Sequence, residues 1–337
     1  MQVEQEYALL PGITVSNVLK GFELEPHWVE WLGTLQAESF KKSTLFITAV
    51  RTQPNVVWSG PAHEFLDRRV RLLHHALVLL GCGYNNGVLM VGGNTAGGGL
   101  HIGPVRSGLT PCFRSYYRKY RKIELQDLDR SATILTNLEH IFGHAPNPVF
   151  KRLRKGFKVW IRGAEEPEEY SERVHSYVRA TEAILKPTLA RKRTKAEMKR
   201  AKRDRREYRP ITTTFISRGQ TLIGHSKASG DLLRQLYEIR SSVEHTKDIL
   251  PQVKAVEGIL KKEAFEFRAL QCEILAGEVF ARILSTPHLL EAFSTERKVE
   301  GFWSRTIKKR SELWGEAIDL DADARKHFFS HFLPESY

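Results

Sequence analysis

The chain has 337 residues, 41% hydrophobic and 10% aromatic, enough to bury a sizeable core and most naturally to form two domains. The most apolar stretch, Ala76 to Val91, is broken by Gly81, Gly83, Asn85, Asn86 and Gly87 and falls short of the roughly 20 apolar residues that a spanning helix needs. Lys and Arg number 52 against 39 Asp and Glu, a net +13, which favours a polyanionic partner, nucleic acid before membrane.

The opening MQVEQEYALLPG has no basic segment leading into an apolar one, so no secretory signal is read there. Pro26 to Phe40 is compatible with a short helix, and Ser43 to Arg51 is β-rich in composition. Pro61 to Leu80 reads as a helix with Pro61 at its start and a dense apolar face. Gly81 to Gly108 then holds ten glycines around Val88–Val91 and Leu100–Ile102, the texture of a glycine-rich hairpin or an irregular loop with strands. It matches neither phosphate-cradling glycine pattern. From Leu125 onward the pattern is helical: Leu125–Phe142, Pro148–Ile161, Glu168–Leu185, Ile211–Gly224, Gly230–Asp248, Pro251–Leu284 and Val299–Ile318, punctuated by glycine and proline. The expected fold is mainly α, with a smaller N-terminal α/β region over 1–120 that contains the glycine-rich β segment, and a helical domain over 121–337.

The charge is unevenly spread. Lys186 to Arg209 holds twelve basic and three acidic residues, supplying +9 of the +13. Within this basic insertion, at about 187–210, Arg191, Lys192, Arg193, Lys199, Arg200, Lys202, Arg203, Arg205 and Arg206 are candidate RNA contacts; a solvated arm is the bland alternative. Arg114 to Lys122 interleaves cations with tyrosines. Tyr116, Arg118, Lys119 and Arg121 there suit a strand of RNA, whose backbone meets cations while bases stack on aromatics. Cys82, Cys112 and Cys272 are too widely spaced for a disulfide framework or a zinc knuckle, which agrees with a reducing cytoplasm. His140 and His144 stand four apart but lack a third ligand, so no metal and no cofactor are expected. The six tryptophans read as core or interface anchors.

The segment carrying chemistry is Arg240-Ser-Ser-Val-Glu-His245. Wound at 100° per residue, Leu232, Leu236, Ile239 and Val243 make a narrow apolar stripe. Tyr237, Arg240, Ser241, Glu244 and His245 fall on a polar face turned away from it. Arg240 is a planar, permanently charged fork for a phosphate, and His245 moves protons near neutral pH. Together they suffice for attack of a ribose 2′-hydroxyl on the neighbouring phosphate without a metal. Ser241 can orient the phosphate or the imidazole, and Glu244 can hold the imidazole in one tautomer. Spacing alone makes this a weak pattern.

Its surroundings are more specific. Thr214-Phe-Ile-Ser-Arg218, Leu222-Ile223 and Leu232 through His245 resemble the Apea-like branch of the HEPN proteins, in which a helix with Phe and Arg precedes a Leu-Tyr-x-x-Arg-Ser-x-x-x-His helix. Upstream, Phe150–Trp160 and Glu172–Leu185 look like that family's preceding helix pair, with Glu182 at the position where an apolar helix commonly carries a Glu. The resemblance spans roughly residues 125–290. It departs at Ser241, where many members have Asn or another amide or acid. It implies an α-helical bundle, usually a homodimer, with paired Arg and His across the interface. It also implies a metal-independent endoribonuclease, often a toxin or antiphage defence effector, in which Tyr237 and Glu182 support Arg240 and His245; an antitoxin or regulatory partner is possible for such a protein. Some members keep the fold and bind nucleic acid or protein without cutting, and that alternative stays open. So does a sensing role for the glycine-rich N-terminal region.

Overall fold

The structure, a computed structural model, describes residues 7–10, 13–16, scattered positions between 26 and 38, then 45–48, 60–82, 89–94, 101–107, 123–143, 149–165, 170–187, 211–244 and 253–330. The described residues are mainly helical. The chain divides into two units, one comprising Met1–Phe113 and Tyr120–Glu139, the other Arg114–Lys119 and His140–Tyr337.

In the first unit, β1 (Tyr7–Leu10), β2 (Ile13–Ser16) and β3 (Leu45–Thr48) form an antiparallel sheet in the order β1-β2-β3. Phe46 stands opposite Val15, and Thr48 opposite Ile13. Helix α1 (Gly60–Leu79) packs against β3. Leu73, Ala76 and Leu79 on α1 are almost wholly buried. Burial holds His74 and His75 neutral down to about pH 4 and about pH 3, His75 being pushed further by the charges of His74 and Arg71. Both therefore serve packing. In the glycine-rich segment, β4 (Leu89–Asn94) and β5 (His101–Ser107) pair antiparallel, with an irregularity in register between Val91 and Gly93. Helix α2 (Leu125–Gly143) contains the point of division.

The second unit is built around one helix. Helices α3 (Lys151–Glu165) and α4 (Tyr170–Leu185) form an antiparallel hairpin. Their close approach depends on glycine: a Cβ at Gly156 would lie 2.8 Å from the Phe280 ring and 3.1 Å from the Ala180 carbonyl, and one at Gly163 would lie 2.9 Å from Ser176 Cβ. Helix α4 also packs against α5 (Ile211–Ile223), α6 (Lys227–Glu244) and α7 (Ala264–Ser285). Phe157 stacks on Trp160 at 5.3 Å and meets Phe280 edge-on at 5.8 Å. Each such side chain contributes on the order of 1.5–3 kcal/mol by leaving water.

Two expected helices are cut differently. Residues 253–263 are turns, so α7 begins at Ala264 rather than at Pro251. The expected Val299–Ile318 helix is two helices, α9 (Glu296–Trp303) and α10 (Ile307–Trp314), each N-capped by a threonine hydroxyl: Thr295 accepts from the Lys298 amide and Thr306 from the Lys309 amide. Helices α8 (Pro287–Ala292) and α11 (Leu320–Ser330) complete the unit.

The C-terminal end of α4 is held with unusual completeness. The last carbonyls of a helix have no partner within it and carry the negative end of its dipole. Here the Ile184 carbonyl accepts from Trp303 Nε1 at 3.3 Å, that of Leu185 accepts from Arg218 at 3.0 Å, and that of Lys186 accepts from Arg152. Arg218 and Arg152 both pair with Glu300, at 3.0 and 3.8 Å, and Arg218 and Arg310 each lie over the Trp303 ring. This end of α4 carries Glu182.

Candidate functional site

Glu182 is on α4, in an otherwise apolar last turn with Ile184 and Leu185 fully buried. Its Oε2 lies 3.4 Å from a terminal nitrogen of Arg240 on α6. The other terminal nitrogen of Arg240 meets Glu244, one turn further along α6, at 2.5 Å. Tyr237 lies beneath the guanidinium, 5.5 Å from its ring centre, and its ring leans against Phe215 of α5 at 5.2 Å. Burial, and next the Glu182 carboxylate, raise the Tyr237 phenol above its ordinary value; Thr212 bonds the hydroxyl.

This corrects the helical projection. Arg240 is only 8% exposed and points into the bundle instead of away from it. The buried face of α6 is wider than the leucine stripe. It includes Ser229, Gly230, Gln235, Arg240 and Ser242, while Leu232 and Val243 are only half-buried. Glu244, expected to hold an imidazole, is on the Arg240 guanidinium. Ser241 is half-buried beside it. With both forks of Arg240 engaged, its Nε remains buried without a hydrogen-bond partner among the described residues. A buried donor left unmade costs about 1–3 kcal/mol.

The residue that sequence reasoning passed over is His175. It stands on α4 seven before Glu182 and four before Arg179, so all three share a face. Its Nδ1 is buried without a partner among the described residues. Burial lowers its pKa below 6.5, the positive charges of Arg240 and Arg179 lower it further, and Glu172 and Glu244 oppose them. The imidazole is therefore a neutral proton acceptor within the field of Arg240. The signal was available in the seven-residue spacing to Glu182.

His245 lies outside the described residues, as do Tyr116, Arg118, Lys119, Arg121 and the basic residues Arg191, Lys192, Arg193, Lys199, Arg200, Lys202, Arg203, Arg205 and Arg206. Of the expected site, the structure brings together Arg240, Glu244, Tyr237 and Glu182.

No family model matches the chain, and neither the curated proteins nor the solved structures contain a match.

Other candidates carry less. Cys272 is fully buried, which pushes its thiol well up and leaves no nucleophile there. His140 packs edge-on against Phe150 at 5.5 Å. Among the described residues no cluster of His, Cys, Asp and Glu has the makings of a metal site, and no helix is long and apolar enough to cross a membrane.

Proposed function

We propose that the chain is an HEPN-type endoribonuclease that works without a metal as a homodimer, in the manner of a toxin or antiphage defence effector. The observation that carries this reading is the Glu182–Arg240 pair. Glu182 and Arg240 belong to different helices, and the family resemblance singled out both. In the reaction, the ribose 2′-oxygen bonds to the adjacent phosphorus as a base takes its proton. The P–O5′ bond breaks, and the 5′-oxygen receives a proton. The products are a 2′,3′-cyclic phosphate and a 5′-hydroxyl. Arg240 stabilises the charge that builds on the phosphoryl oxygens, Tyr237 and Glu182 hold the guanidinium in place, and His245 is the general acid/base. His175, neutral at pH 7, is a second proton-transfer group, since the reaction needs a base for one oxygen and an acid for the other.

Purified full-length protein is expected to cut single-stranded or structured RNA in EDTA and to leave cyclic phosphate ends. Full activity retained by both Arg240→Ala and His245→Ala would sink the reading.

One observation favours a second reading. Both forks of Arg240 are already occupied by carboxylates, as in an arginine whose task is to join two helices. In that case the bundle binds nucleic acid or a partner protein and never cuts. RNA bound with affinity that falls steeply in salt, without cleavage at any pH, distinguishes it.

A further inference from the structure

Helix α3 has two faces of very different character. Leu153, Phe157, Trp160 and Ala164 are buried to within 2%. On the opposite side, Lys151, Lys155, Lys158 and Arg162 are all exposed. They recur at intervals of four, three and four residues, so they lie in single file along one edge, about one cation per 5.4 Å turn over a length of about 16 Å. The helix carries no acidic residue between Lys151 and Arg162. None of the four makes an ion pair or hydrogen bond with the described residues. The inward cations of the same helix do have partners: Arg152 meets Glu296 at 2.6 Å, and Arg154 donates to the Ile141 carbonyl at 3.3 Å. The fold gives two cations of α3 partners and leaves a row of four.

We propose that this row is a track for the phosphate backbone of single-stranded RNA, which Lys151, Lys155, Lys158 and Arg162 engage through successive phosphates. The choice of RNA rests on the ribonuclease reading; the choice of a linear polyphosphate chain rests on the row itself. A membrane surface fits less well. A helix that lies on a membrane inserts its apolar face, and here that face is buried in the bundle. None of the large apolar side chains found exposed, Phe65, Leu125, Leu260, Ile307 and Phe329, is on α3. A protein partner would need a desolvated aromatic or aliphatic anchor, and the row has none. Contacts made only to phosphate carry no base information, so the track binds any sequence and leaves selection of the cut to the Arg240 site.

The test is binding, read apart from cutting. Fluorescence anisotropy of a labelled single-stranded RNA whose 2′-hydroxyls are methylated, so that it cannot be cut, is measured across a salt series. Wild type is compared with a variant carrying Lys151→Gln, Lys155→Gln, Lys158→Gln and Arg162→Gln, and with Lys155→Arg/Lys158→Arg, which keeps the charge. Both variants change exposed helix positions, and their folding is checked by thermal unfolding. The four-Gln variant is expected to bind at least tenfold more weakly near 0.1 M salt. The slope of log K against log salt should become shallower by about 0.7 for every phosphate that the variant no longer neutralises, up to about 3. The arginine variant keeps the wild-type affinity and slope. Unchanged affinity and slope in the four-Gln variant overturn the proposal, as does wild-type protein that binds anionic vesicles but no RNA. Equal weakening for single-stranded DNA assigns the track to the phosphodiester chain that both share and upholds it. Weakened binding with cleavage of the unmethylated RNA absent even in wild type upholds the track and counts against the ribonuclease reading, so the two fail separately.

Discussion

Among the described residues, helix α4 makes two arginine–glutamate pairs, one near each end, and their difference separates architecture from chemistry. Near its start, Arg173 meets Glu273 of α7 at 3.0 Å with both side chains about 5–6% exposed. Near its end, Glu182 meets Arg240 of α6 at 3.4 Å with both about 10% exposed. The first pair is closed off from water on both sides. The second has a surplus: Glu244, 38% exposed, is also on Arg240, and His175 senses both charges. A pair sealed from water offers no route to a ligand. The open one has a carboxylate, Glu244, that can swing into water and release a terminal nitrogen of the guanidinium.

The largest effect is expected at the closed pair. Glu273→Ala takes the Glu273 carboxylate away from the buried Arg173 charge and should cost about 3–5 kcal/mol in denaturant unfolding. The paired change Arg173→Met/Glu273→Leu should recover most of that stability, because an apolar pair of similar volume avoids the desolvation of two ions. If Glu273→Ala were as stable as wild type, the contrast between the two ends of α4 would collapse.

At the open pair the damage should appear in activity before stability. Arg240→Lys keeps the charge but removes the fork. RNA cleavage should drop about 100- to 1000-fold, the range seen when a donor to developing transition-state charge is removed. The unfolding midpoint should move less than in Glu273→Ala. Glu182→Gln and Glu244→Gln then divide the site further. Glu182 anchors the guanidinium from another helix, so its removal should lower cleavage about tenfold. Glu244 competes with an incoming phosphate from an exposed position, so Glu244→Gln should tighten binding of a non-cleavable 2′-deoxy oligonucleotide by only a few-fold, the scale of an exposed ion pair. Weaker binding in Glu244→Gln would show that its carboxylate helps to hold the ligand.

The existence of α4, α5 and α6 was legible because Pro187, Pro210 and Gly224 interrupt strongly periodic stretches, although α6 begins at Lys227, before the expected Gly230, which lies inside it. Glu182 was marked by the family resemblance alone. The inward direction of Arg240 was not. A hydrophobic stripe marks only those buried positions that are apolar, and α6 also buries Ser229, Gly230, Gln235 and Ser242. Small and polar residues bury silently, so the true face is wider than the leucines suggest. The breaks at 253–263 and 304–306 were missed for a related reason. Gly258, at φ +74, sits between Val256 and Ile259, both nearly buried, and this loop's apolar residues mimic a helical period. Thr306 caps α10 without any proline or glycine to advertise it.

The smallest effect, and the most direct reading of the open pair, is the titration of His175. In the folded chain its pKa is depressed first by burial, then by Arg240 and Arg179, with Glu172 and Glu244 pulling the other way. Removing a cation that disfavours protonation must raise the value, so Arg240→Ala moves it up toward 6.5. Removing an anion that favours protonation must lower it, so Glu244→Gln moves it down. Glu273→Gln, at the other end of α4, should leave it unchanged. NMR titration of the imidazole reads all three without any need for cleavage. The same sign governs stability. Above pH 6.5 folded and unfolded chains alike hold this histidine neutral. As the pH falls from 6.5 toward the depressed value, the unfolded chain takes up a proton that the folded one refuses, and the folded state loses ground. Arg240→Ala should shrink that effect and Glu244→Gln should widen it. A His175 that titrates alike in all four proteins would mean that its imidazole does not share the field of Arg240, and the open end of α4 would then be a structural pair like the closed one.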